Sequence, residues 1–200
     1  MKTFTFAFAT AVALAAITST PAAAAASGAV TAELAPTTAG CLGVFEQTLP
    51  RLHSNDMHNL CELTKDKVVL VVNTASQCGY TGQFEDLEAI YKRYADAGLV
   101  ILGFPSDSFR QEHDNEAETA TVCYVNFGVT FPMMKTSAVT GAEANPVFKA
   151  LTAAADAAPR WNFHKYLIAR DGSKVLNFAS SVNPADMRIT SAIEALLAEK

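Results

Sequence analysis

Cys78 stands where the chain changes character. It follows Val68, Val69, Leu70, Val71 and Val72, an apolar, β-branched run that predicts a strand buried on both faces. It precedes a helical pattern that starts near Gln83, and its flanks Gln77 and Gly79-Tyr80-Thr81-Gly82 are small or polar residues of a turn. A thiol placed this way sits at the carboxyl end of a central strand, where open α/β sheets carry their sites. It also sits near a helix N-terminus, whose dipole favours thiolate over thiol, and a thiolate is a nucleophile. The competing reading, an inert small core residue, fits the flanks poorly because they are not core-like.

In Cys78-Gly79-Tyr80-Thr81 the place of the second thiol of a C-x-x-C pair is taken by Thr81. A dithiol exchange centre therefore cannot close locally. A lone cysteine suits attack on a peroxide oxygen, which leaves the sulfur as a sulfenic acid in need of another thiol. Cys123 is the internal candidate. It falls on a predicted helix, so bringing it within the roughly 7 Å Cα limit of a disulfide requires that helix to unwind. The alternative for Cys123 is a buried helix cysteine.

Periodicity supplies the elements that hold these sulfurs. From Gln83 to Ala97 the residues Phe84, Leu87, Ile90, Tyr91 and Tyr94 recur at helical spacing, with Gly98 as the stop. Leu99 to Phe104 is a second strand, and strand, helix, strand implies a right-handed parallel crossover. Pro105 to His113 reads as polar loop. Asn115 with Glu118 has the form of a capping box, opening a helix that holds Val122, Cys123 and Val125 and fades by Phe127-Gly128. Asn145-Pro146 opens another helix with Phe148 and Leu151. Trp161 to Ile168 alternates into a strand, Asp171-Gly172 is a tight turn, and Lys174 to Phe178 pairs back antiparallel. Asn183-Pro184 with Asp186 caps a last helix whose Met187, Ile189, Ile193, Leu196 and Leu197 face the sheet. The order β-α-β-α-α-β-β-α is that of an α/β, thioredoxin-like fold: a central mixed β-sheet flanked by helices on both faces, one domain over residues 41–200.

The N-terminus reads differently. A positive start at Lys2, an apolar run from Phe4 to Ile17 and small residues from Pro21 to Ala26 predict a secretory signal over residues 1–26. An Ala/Thr/Pro-rich flexible leader follows over 27–40. The expectation is an exported protein of a bacterial periplasm. The formal charge of −5 becomes one unit more negative when Lys2 leaves with the signal. A mildly acidic domain without Lys/Arg clusters is a poor binder of nucleic acid or anionic membranes, and no later stretch is long and apolar enough to span a bilayer. Four cysteines, Cys41, Cys61, Cys78 and Cys123, allow three pairings in an oxidising compartment, and a structural Cys41–Cys61 disulfide is the preferred one. Thr38 to Cys41 resembles the end of a lipoprotein signal but lies too far beyond the apolar run. His53, His58 and Cys61 match no common zinc spacing, so no metal is expected.

The segments VNTASQCGYTGQFEDLEAIYKRY, LGFPSDSF, CYVNFGVTFPM and RWNFHKYLIARDG, in this order and spacing, resemble the glutathione peroxidase family from Val68 to Lys200. The resemblance implies that Cys78 is the peroxidatic cysteine. It implies too that Trp161 and Asn162 complete the site by hydrogen-bonding the sulfur and the peroxide, as an indole N–H and an amide NH2 are equipped to do. The plain alternatives are a core aromatic for Trp161 and a turn or capping residue for Asn162. Ser108 departs from the pattern, standing where the family has a glutamine, with Gln111 nearby. Cys123 falls where thioredoxin-reduced members carry their resolving cysteine. The short connection from Phe131 to Trp161 resembles the monomeric branch that takes bulky hydroperoxides. The implied substrates are hydrogen peroxide and organic or lipid hydroperoxides. No bound cofactor is implied; the reductant would be an external thiol, either a thioredoxin-like dithiol protein or glutathione. A thioredoxin-like redox sensor or disulfide relay without peroxidase turnover is the rival reading.

Overall fold

The computed structural model describes residues 1–3 and 34–199. Of the expected signal and leader, only Met1–Thr3 and Leu34–Gly40 fall among the described residues. After a 3-10 turn at Gly43–Phe45, strands β1 (Thr48–Pro50) and β2 (Met57–Asn59) form a small antiparallel hairpin that leads into helix α1 (Leu60–Thr64). The run from Val68 becomes β3 (Val68–Thr74), and all seven of its residues are buried. Helix α2 (Gln83–Tyr94) carries the chain across to β4 (Leu99–Pro105), which pairs parallel to β3 with Val68 opposite Leu99. Helix α3 (Glu116–Ala120) and a π-helix (Thr121–Asn126) follow, then α4 (Pro146–Ala155), the antiparallel pair β5 (Lys165–Ile168) and β6 (Val175–Phe178), and α5 (Met187–Ala198). The sheet order is β4-β3-β5-β6, with β5 antiparallel to β3.

The two-residue alternation of a strand divides the core into two halves. Val68, Leu70 and Val72 pack with Phe84, Leu87 and Ile90 of α2 and with Ile189, Ile193 and Leu196 of α5. Val69 and Val71 point the other way, into Val147, Phe148 and Leu151 of α4 and into Val44, Phe45 and Leu60 of the N-terminal segment. Burying each such aliphatic or aromatic side chain contributes about 1.5–3 kcal/mol. The expected thioredoxin-like sheet with helices on both faces is therefore present, and the Cys41-to-Cys61 segment covers one face of it. Cys41 and Cys61 are joined by a disulfide with a Cα–Cα distance of 5.3 Å, so neither sulfur is free for a lipid or a metal. Leu34 is packed into the same half of the core. Its carbonyl approaches the turn at Gly172, which has φ 70° and where any Cβ would collide with it.

Three local expectations are corrected. The strand expected from Trp161 begins only at Lys165, because Phe163 adopts φ 62° and turns the chain. Glu118 does not complete a capping box: Asn115 caps α3 by accepting from Ala117 N–H, while the Glu118 carboxylate turns to His113. Met187 does not face the sheet, being 78% exposed at the first position of α5, where the helix has not yet reached the core. No helix among the described residues is long and apolar enough to cross a membrane.

Candidate active site

The turn between β3 and α2 is organised by Thr81, the residue that replaces a second cysteine. Its hydroxyl lies 2.9 Å from Ala75 O and 2.8 Å from Cys78 O, and it accepts from Cys78 N–H at 3.1 Å. Thr81 N–H donates to Cys78 O at 3.0 Å, and successive i to i+3 bonds lead on into α2. One β-hydroxyl thus closes the loop that a bare apolar side chain would leave with unpaired backbone groups. Cys78 is 8% exposed, and Tyr80 N–H donates to its Sγ at 3.4 Å.

The opposite wall is set by a polar residue inside a strand. Asn73, fully buried, donates through Nδ2 to Trp161 O at 3.2 Å and accepts His164 N–H on Oδ1 at 3.0 Å, and Phe163 N–H donates to Asn73 O. This clasp forces the turn at Trp161–His164 and delivers Trp161 and Asn162 beside the end of β3. Trp161 is 41% exposed and packs against Phe109 with ring centroids 5.5 Å apart, whereas Asn162 is fully buried. Asn162 Nδ2 donates to Gln111 Oε1 at 3.1 Å, and Gln111 O accepts from Gln77 N–H at 2.9 Å, one residue from the sulfur. Gln111 thus connects Asn162 to the Cys78 loop. Among the described residues the hydrogen bond to Sγ comes from Tyr80, not from the indole or the amide.

Ser108 is engaged elsewhere. Its hydroxyl accepts from Ser106 Oγ and from Val139 N–H, each at 3.0 Å. Of the two residues considered for the family glutamine, it is Gln111 whose side chain reaches Asn162.

Cys123 is 1% exposed, in the π-helix and in the same half of the core as Cys78, and both thiols are free. Burial, reinforced by the nearby Glu112 carboxylate, pushes its thiol up to about 12, so in place it is protonated. Glu112 is itself held by Thr119 Oγ1 at 3.0 Å on α3. A π-helical stretch such as Thr121–Asn126 is rare and recurs at functional sites.

Two buried groups escaped sequence reasoning. Lys165 Nζ donates to Gln83 Oε1 at 2.5 Å and Val182 O at 2.6 Å, tying the first turn of α2 to the loop after β6, and burial lowers it to about 7. His164, also buried, is lowered to about 4 by desolvation and by the neighbouring Lys165 charge. The signal for both was a charged or titratable residue inside an otherwise apolar strand pattern. A cleft of about 690 Å³ opens beside the site, lined by Tyr80, Arg160, Trp161, His164, Asn177 and Ser180 among others.

Comparison with known proteins places this geometry. The glutathione peroxidase family model matches residues 48–152. The glutathione peroxidase-like peroxiredoxin HYR1 of Saccharomyces cerevisiae is 43% identical over 141 residues, 68% of this chain and 85% of that protein. A glutathione peroxidase of Lactococcus lactis is 46% identical over 128 residues, 62% of this chain and 82% of that protein. The solved structure of Trgpx in apo form superposes with a TM-score of 0.60 at 32% identity, covering 78% of this chain and 95% of that one.

Proposed function

The chain belongs to the glutathione peroxidase family, and from that premise we propose that it is a thiol peroxidase in which Cys78 takes the peroxide oxygen and Cys123 resolves the product. The observation that carries this reading is the Cys78 turn itself: a free sulfur at the end of the central strand, facing a backbone N–H, in a loop closed by Thr81.

In the first step the thiolate attacks one oxygen of ROOH. An S–O bond forms, the O–O bond breaks, and the alkoxide leaves as ROH after taking a proton. The sulfur is oxidised by two electrons to sulfenic acid and the peroxide is reduced. Trp161 and Asn162 are the donors for the departing oxygen, oriented by the Asn73 clasp and by Gln111. Cys123 then closes a disulfide with loss of water, and an external dithiol protein or glutathione reopens it. Hydrogen peroxide and organic or lipid hydroperoxides are the substrates, and the cleft beside Trp161 leaves room for a bulky R group. The N-terminal sequence supports export to a periplasm, and the short Phe131–Trp161 connection supports a monomer.

Single-turnover oxidation tests the scheme. Cys78→Ser abolishes peroxide consumption, whereas Cys123→Ser consumes one equivalent and then stalls until a small thiol is added. Equal activity in both variants and the parent would refute it. Sulfenic acid formation without sustained turnover under any reductant would favour a sensor or relay instead.

A further inference from the structure

We propose that the cavity between the β1–β2 hairpin and residues 124–133 is a binding site for a small organic carboxylate, held by Arg51, His58 and Tyr124 from its two walls. Its effect on disulfide closure rests on the assignment of Cys123 as resolving thiol; the binding itself does not.

The cavity has a volume of about 430 Å³, in the range of small-molecule sites. Arg51 and His58 line it from the hairpin, and Tyr124, Thr130, Phe131 and Met133 are among the residues that line it from the other side. The two walls are zipped together where Leu52 N–H donates to Met133 O at 3.0 Å and Lys135 N–H to Pro50 O at 2.8 Å. The cavity is therefore a built junction between two segments.

Two polar atoms in its walls are left over. His58 Nε2 and the Tyr124 hydroxyl are shielded from solvent, and neither has a hydrogen-bond partner among the described residues. A buried polar group without a partner is costly, so each calls for something to fill its place. Arg51 is the third group. Its Cζ lies 5.9 Å from the centre of the Tyr124 ring, and its contact with Asp56 is long, at 3.8 Å between exposed side chains. Such a pair is worth little, so the guanidinium fork can exchange it for a bidentate bond.

Charge and donor count choose the ligand. The Tyr124 hydroxyl, an imidazole hydrogen on Nε2 and the guanidinium all donate, and a carboxylate accepts on both oxygens. Burial and the Arg51 charge lower the pKa of His58, which keeps the ring neutral. Arg51 is thus the one cation among the lining residues, matched to a single negative charge rather than to a phosphate dianion. The Glu88 carboxylate, which accepts from Thr130 N–H and Oγ1 and pairs with Lys92, further disfavours a second negative charge. Phe131 and Met133 suit a short carbon chain behind the carboxylate.

Tyr124 follows Cys123 in the π-helix. A carboxylate that joins Tyr124 to Arg51 and His58 ties down the segment that Cys123 must leave. A ligand bound only to the closed segment slows closure by 1 + [L]/Kd, about sixfold at five times Kd.

The test titrates the full chain, reduced at Cys78 and Cys123, with sodium hexanoate at constant ionic strength, read by backbone amide NMR. Saturable one-site shifts are expected at His58, Tyr124 and residues 129–133, with a Kd of about 1 mM for a ligand of this size. Hexanol and hexylammonium should give none. Arg51→Gln and Tyr124→Phe should each weaken hexanoate about tenfold or more, with the rest of the spectrum in place. Absence of saturable shifts in the parent, equal binding of hexanol, or parent affinity in both variants overturns the site. After one equivalent of hydrogen peroxide, hexanoate at five times Kd should slow Cys78–Cys123 closure about sixfold and leave sulfenic acid formation unchanged. Unaltered closure at saturating hexanoate overturns the tie to Cys123. A parent that never forms this disulfide overturns the resolving role and the tie with it, while the NMR titration still decides the site.

Discussion

Val125 offers a direct handle on the opening that the proposed resolving step by Cys123 requires. It lies in the π-helix two residues after Cys123 and is 74% exposed, so substitution changes backbone preference with little loss of packing. Cys123 by contrast is buried, with its thiol raised from 9.0 to about 12 by desolvation and Glu112. A difference of that size sets about 4 kcal/mol against ionisation in place, roughly a thousandfold in thiolate. Under the proposed scheme the sulfur therefore reacts from the opened segment, and the rate of closure follows how often the segment opens. Glycine in a helix is about 1 kcal/mol worse than alanine, and valine about 0.6 kcal/mol worse. Val125→Gly should thus close the Cys78–Cys123 disulfide roughly twofold faster than the parent, and Val125→Ala about two- to threefold slower. Quenched-flow gel shifts after one equivalent of peroxide measure this, with sulfenic acid formation as the unchanged control. Identical rates in all three proteins, or the reverse order, would refute an opening step.

Two further outcomes follow from the same contacts. The Cys41–Cys61 bridge closes a loop with a sequence separation of 20, so its removal in a Cys41→Ser/Cys61→Ser variant should cost roughly 3 kcal/mol in denaturant unfolding while peroxide turnover persists; loss of turnover in a folded variant would make this pair catalytic. His164 is lowered from 6.5 to about 4, so the unfolded chain takes up its proton first as pH falls. Its contribution to stability is present above pH 6.5 and is lost towards pH 4, by up to roughly 3 kcal/mol, and His164→Gln should flatten that slope in urea titrations across the window.

Much of the scaffold was legible because it rests on local pattern. Val68–Val72 reads as a strand buried on both faces from its uninterrupted β-branched run, and it is one. Gln83–Tyr94 reads as a helix from apolar spacing with Gly98 beyond it, and Asn145-Pro146 announces α4 through its cap. The pairing of Cys41 with Cys61 also matched expectation. The site was less legible, because its geometry is fixed by contacts far apart in sequence. Trp161–His164 looks extended until Asn73, nearly ninety residues earlier, takes its backbone groups and bends it. Glu118 has the spacing of a capping residue, yet the better partner is His113, which only the folded loop brings near. Gln111 could be named as a neighbour of Ser108, but its bond to Asn162 belongs to the tertiary fold. A polar residue within an apolar strand pattern, as at Asn73 and Lys165, was the one warning available in the sequence.

Mass spectrometry of the protein after one equivalent of peroxide and alkylation examines the core of this account at once. It should find Cys41 joined to Cys61 and a new bond between Cys78 and Cys123, with only sulfenic acid at Cys78 when Cys123 is serine. Recovery of Cys78 as an unoxidised, alkylated thiol beside consumed peroxide would contradict it.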